Sequence, residues 1–112
     1  MIDRLTDNLE QYLNVVSQRQ KLVTSNIANA DTPGYKTQDL DFHASLLSAM
    51  DGGTPNPIEV SGLATKNDGN NVDLDREARL LSENAMRFNA ASNLLHTQLS
   101  TIKEAIEGGK SA

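Results

Sequence analysis

An all-α fold, with two long terminal helices forming an extended coiled-coil hairpin around a short helix and an irregular loop, is predicted by three observations. Apolar residues recur in alternating steps of three and four at both ends of the chain, a stretch rich in Gly, Pro and Asn separates the two runs, and side chains for a globular core are scarce. Of 112 residues, 38% are apolar and 4% aromatic, with no Trp, so little bulk exists to fill an interior. One structural unit follows. It divides into an N-terminal coiled-coil helix at 1–31, a turn, short helix and loop at 32–71, and a C-terminal coiled-coil helix with its tail at 72–112.

The first helix is read from Ile2, Leu5, Leu9, Tyr12, Val16, Arg19, Val23, Asn26 and Ala30, a heptad-like stripe interrupted by polar Arg19 and Asn26. It should end near Asp31. The residue before Pro33 is pushed towards extended backbone, and Pro33-Gly34 suits the centre of a type II turn, where glycine supplies the positive φ. The pair of amides at Asn26 and Asn29 has two readings. They are caps at a fraying helix end, or they lie in a helix–helix interface where a buried amide fixes register and neighbour. Tyr35 has two as well, covering the turn or inserting into an adjacent subunit.

The second helix is better defined. Stepping from Leu74 meets Ala78, Leu81, Ala85, Phe88, Ser92, Leu95, Leu99, Ile102 and Ile106, so nine of these ten positions are apolar. Asp73 is the expected N-cap, Asp75 and Glu77 put negative charge in the first turn, and Gly108-Gly109 supplies the stop. Beside this main seam lies a second stripe of Leu80, Ala91, Leu94 and Ala105, more apolar surface than one partner helix covers, which points to other chains. The two helices would be about 40 and about 50 Å long.

Between them, residues 51–71 hold four Gly, two Pro, four Asn and two Asp, twelve of 21 positions, which predicts a loop that links the helices without organising them. Residues 40–50 fit a short helix docking through Phe42, Leu46 and Met50. Residues 57–63 allow a brief strand, which Pro57 and Gly62 restrict to an edge.

Reactive chemistry is sparse. His43 lies near Asp39 and Asp41, but a solvated histidine explains it, and His96 has no acidic residue three or four positions away. "NDGNNVDLDRE" does not place oxygen ligands at calcium-loop spacing, and neither a phosphate-binding glycine loop nor a nucleophile elbow is present. No catalytic residue, cofactor or metal is expected. The net charge of −5 argues against a nucleic-acid partner, and no patch is concentrated enough for a charged small-molecule substrate. With no cysteine, disulfides are excluded, and the chain start lacks the basic stretch and apolar segment of a cleaved secretory signal.

The stretch "SNIANADTPGYKTQDLDF" resembles the N-terminal signature of the flagellar axial proteins, an A-N-x-x-T-P-G-Y-like sequence after a first long helix, here Ala28 to Tyr35 with Phe42 beyond. "NNVDLDREARLLSENAMRFNAASNLLHTQLSTIKEAI" is similar to the C-terminal helix of the proximal-rod members, and the two stretches cover about half of the chain. The resemblance implies a non-enzymatic subunit of the flagellar basal body that leaves the cytoplasm uncleaved through the flagellar type III export apparatus and polymerises in the periplasm as a hollow rod. Implied partners are other copies of itself, other proximal-rod proteins, the adaptor protein at the rod base and the membrane-ring protein. The implied assembly interface is Leu5, Leu9, Tyr12, Val16, Val23, Asn26, Asn29, Leu81, Phe88, Leu95, Leu99, Ile102 and Ile106, with Thr32, Pro33, Gly34 and Tyr35 as the signature turn. "YLNVV" is similar to an export motif of an aromatic followed four residues later by an aliphatic, which singles out Tyr12 and Val16; both also fit as seam residues. Ala78 departs from the pattern, since a larger residue such as Met is expected there, and the middle segment is short. Two alternatives stand: the sister C-type proximal-rod protein, whose E-M-x-x-M-I sequence is replaced here by "REARLL", and a cytosolic coiled-coil adaptor, which would have no use for T-P-G-Y.

Overall fold

A computed structural model describes residues 2–111 and the side chains of residues 4–109; the side chain of Ile2, first in the expected stripe, lies outside them. The elements in order are α1 (Ile2–Ala28), β1 (Gln38–Asp39), α2 (Phe42–Met50), β2 (Ile58–Glu59) and α3 (Leu74–Ser111). The two terminal helices form the expected hairpin. Asn26 meets Glu77 and Gln20 meets Asn84, so α1 and α3 run antiparallel, with paired positions summing to about 103. The end of α3 therefore passes the start of α1 and runs on alone for about nine residues, or about 13 Å. The molecule measures 71 × 25 × 17 Å with a radius of gyration of 18.5 Å, against about 13 Å for a compact chain of similar length.

The helix ends differ from expectation. α1 stops at Ala28, three residues early, because Asn29 Nδ2 donates to the carbonyl of Ser25 at 2.8 Å and the chain tightens into successive turns. The N-cap of α3 is as expected, with Asp73 Oδ1 accepting from the backbone N–H groups of Asp75 and Arg76 at 3.1 and 3.3 Å. Gly108-Gly109 does not stop it. Neither glycine has positive φ, and glycine only lowers helix propensity, by about 1 kcal/mol relative to alanine, without forcing an exit.

The face that α3 turns towards α1 also differs. The buried positions are Glu77, Leu80, Asn84 and Ala91, one step round the helix from the main seam. Leu74, Leu81, Phe88, Leu99 and Ile106 stay open, between 39% and 55% exposed. Apolar periodicity selects the face with the most carbon. Here the hydrogen bonds of Glu77 and Asn84 to α1 hold a different rotation, so part of the second stripe closes the hairpin and most of the main seam is left uncovered.

α2 packs on α1 through a small core of Val15, Leu40 and Ala49 with Leu22, Phe42 and Leu46 around it. Met50, expected to dock, points outward, and Ala49 takes its place. Asp41 caps α2 by accepting from the N–H of Ala44. The brief strand is present as β2 and pairs antiparallel with β1, Gln38 opposite Glu59 and Asp39 opposite Ile58.

Candidate structural joint and open helix faces

The polar groups near the end of α1 converge on one buried joint. Asn26 is fully buried and uses both N–H bonds and both lone pairs of its amide. Its Nδ2 donates to Gln38 O at 2.8 Å and to Glu77 Oε1 at 3.0 Å, while its Oδ1 accepts from Tyr35 OH at 2.9 Å and from Gln38 N at 3.1 Å. One side chain thus ties α1 to the signature turn, β1 and α3. The neighbour sought for Asn26 lies within the same chain. Asn29 is likewise satisfied internally, by Ser25 O and by the hydroxyl of Thr32, which donates to its Oδ1 at 3.1 Å. Tyr35 lies over the helix end, its hydroxyl within reach of Asn26 and Ser25.

The signature turn is closed by Tyr35 N donating to Thr32 O at 3.2 Å, with Gly34 at φ 76° in the second central position. It rests on the segment whose spacing excludes a calcium loop. Gly34 N donates to Asp68 O at 2.9 Å, and buried Asn70 gives its two amide N–H bonds to Asn29 O and Thr32 O at 2.8 and 2.9 Å. Asn71 Oδ1 accepts from both the N–H and the hydroxyl of buried Thr37. Lys66 Nζ donates to Ala30 O at 3.0 Å, in the turns just beyond the end of α1. The approach is close: a Cβ on Gly69, itself at φ 88°, would lie 3.3 Å from the Cα of Gly34. The last part of the 51–71 stretch, residues 66–71, therefore organises the hairpin, contrary to expectation. Composition reads Asn and Gly as flexible, but buried Asn70, whose side chain makes three hydrogen bonds, is a rigid cross-link.

Below the turn sits a charged cluster. Asp39 accepts a bidentate pair from Arg19, Nε to Oδ1 at 2.9 Å and a terminal nitrogen to Oδ2 at 3.0 Å, a further hydrogen bond from Arg76, and one from Leu40 N at 2.7 Å. Burial alone would raise its pKa, but these donors outweigh burial and hold it below the ordinary aspartate value. Glu77 is pushed the other way, chiefly by burial, against which Arg76 and Asn26 compensate only in part. Arg19 and Arg87 flank the ring of Phe42, 5.8 and 4.6 Å from its centroid, and Tyr12 meets it edge-on at 5.7 Å.

The remaining expected interface residues divide into two sets. Val16 and Val23 are buried, and Leu9, Tyr12, Leu95 and Ile102 are half-buried. Leu5, Leu81, Phe88, Leu99 and Ile106 are exposed. Leu81, Ala85 and Phe88 form one wall of an open groove of about 490 Å³ facing Val16, Gln20 and Lys21 of α1. Sequence reasoning missed Arg19 as an ion-pair partner, Arg76, Asn70 and Asn71. The cluster of four polar residues in "NDGNN" before a capped helix was the available signal. His43 and His96 are exposed and lie outside the joint. Among the described residues, no helix is long and apolar enough to cross a membrane.

An elongated helical hairpin with a polar joint and an uncovered apolar face along its longest helix is built as a structural subunit. The family model described as "Flagella basal body rod protein" matches residues 13–36, the second half of α1 and the signature turn. The chain is 31% identical to the flagellar basal body rod protein FlgB of Salmonella typhimurium over 137 aligned positions that cover 97% of this chain and 99% of that one. It is 32% identical to FlgB of Bacillus subtilis, covering 92% and 93% of the two chains, and 29% identical to FlgB of Escherichia coli, covering 97% and 99%. The chain belongs to the family of flagellar basal body rod proteins of the FlgB type.

Proposed function

We propose that this chain is a non-enzymatic subunit of the proximal rod, exported by the flagellar type III apparatus and self-assembling through its terminal helices into a hollow periplasmic tube. The observation that carries the reading is the uncovered seam of α3, where Leu74, Leu81, Phe88, Leu99 and Ile106 line one side of a helix whose other side is already used. Contacts between unlike patches on successive copies propagate without closing, the geometry of a filament. Neighbours on this reading are other copies, other proximal-rod proteins, the rod-base adaptor and the membrane-ring protein. Tyr12 and Val16 are packed in the folded chain, so an export role for them belongs to the unfolded chain.

Replacing Leu99, half exposed in the single chain, by Asp tests the reading. The isolated variant should keep wild-type helix content, because Leu99 is half exposed in the single chain, while a charge inside an assembled seam is costly. Cells carrying Leu99→Asp are expected to export the protein, form no rod and fail to swim. Normal swimming overturns the assembly role of this face.

A further inference from the structure

We propose that Glu77 is a proton-binding latch: folding of the joint draws a proton onto its carboxyl, so that the attachment of α3 to α1 and to the signature turn tightens as the surroundings acidify. The geometry distributes donors unevenly between two buried carboxylates. Asp39, on β1, takes three guanidinium N–H bonds, two from Arg19 of α1 and one from Arg76 of α3, besides the N–H of Leu40. Glu77 has no exposed surface, and a single oxygen, Oε1, accepts from Arg76 at 2.8 Å and from Asn26 at 3.0 Å. Its other oxygen, Oε2, is buried with no hydrogen-bond partner. Arg19 is committed to Asp39, Arg76 is shared, and the charge of Asp39 itself opposes a second negative charge beside it.

A lone pair on an ionised oxygen buried without a donor is costly, and placing a proton there removes that charge at the position where it is least compensated. The hydrogen bonds into Oε1 survive, since the carbonyl oxygen of a neutral carboxyl still accepts. The titratable and charged groups around Glu77 are Arg19 from α1, Asp39 from β1, Arg76 from α3 itself, and Tyr35 of the turn, which reaches it through Asn26. The raised pKa of Glu77 agrees with this geometry. For an acid whose folded pKa lies above its unfolded one, the folded state binds the proton more readily, so stability rises as pH falls through the folded value towards the ordinary one. Asp39 has the opposite sign and a separate window, since its contribution is lost only as pH falls below its ordinary value of 3.8 towards its lower folded one. A stability maximum in mild acid follows.

The test uses the full chain. Thermal midpoints are measured from about pH 7 to about pH 4 for the wild type and for Glu77→Gln, which keeps an oxygen for Asn26 and Arg76 and removes the charge. The wild type should gain stability on mild acidification by more than the variant, whose response contains only the general relief of surface charge. The carboxyl carbon of Glu77, followed by NMR in the unmodified chain, gives a reading independent of whether the variant folds, and should titrate above the ordinary glutamate range. Titration at or below that range, or identical acid responses of the two proteins, overturns the proposal.

Discussion

Asn26 illustrates how much a single amide can hold. Its four hydrogen bonds reach the backbone of Gln38, the side chain of Glu77 and the hydroxyl of Tyr35, so an apolar replacement of similar size breaks bonds to three other segments and leaves the buried polar groups there under-satisfied. Each buried group left unpaired costs about 1–3 kcal/mol. Asn26→Leu is therefore expected to lose on the order of 3 kcal/mol or more, measured by denaturant unfolding, although it restores the apolar stripe of α1. An unchanged unfolding midpoint would show the joint to be dispensable. At Asn29 the same substitution removes only turn contacts at a half-exposed position and should cost about 1 kcal/mol.

At the scale of elements, the two turns that meet at Gly34 and Gly69 should respond together. Gly69→Val places a branched side chain at φ 88° and against the Cα of Gly34, which strains the backbone by about 1–3 kcal/mol besides separating the turns. Circular dichroism of that variant should show α1 and α3 retained but unfolding at lower temperature, and wild-type behaviour would mean the turns do not depend on each other. The helices, the loop composition, the N-cap at Asp73 and the signature turn were all legible in the sequence, because each follows from local backbone preference or from apolar spacing. The rotation of α3 was not. Periodicity locates carbon-rich faces, and nothing local announces that Glu77 and Asn84 will find partners 51 and 64 residues away on α1. The fate of residues 66–71 was hidden for the same reason, since the hydrogen bonds of Asn70 and Asn71 run to positions 34 to 41 residues earlier.

The whole molecule is long, thin and unevenly secured. The joint, with Asn26, Asn70, Asn84 and Thr37 all buried, lies at one end of a 71 Å body, while the last turns of α3 have no helix beside them. Hydrogen exchange on dilute protein should be slow around Val23 to Asn26 and Glu77 to Asn84 and fast over residues 103–109, where opening requires no separation of helices. Uniform protection would contradict that gradient. The clasp between the signature turn and residues 66–71 has a second effect: it brings the place where the chain leaves the hairpin against the place where it comes back. An excursion anchored at neighbouring points can lengthen without moving either anchor, and each doubling of a flexible loop costs only about 0.6 kcal/mol. The 137 positions aligned with the Salmonella typhimurium relative exceed the 112 residues here by 25, so that relative carries at least that many residues with no counterpart. They are expected to fall inside the excursion. A ten-residue Gly-Ser insertion between Asp51 and Gly52 should accordingly change the unfolding free energy by less than about 1 kcal/mol. The outer segment is then a cassette, exchangeable in length and sequence over a hairpin that need not be redesigned to carry it.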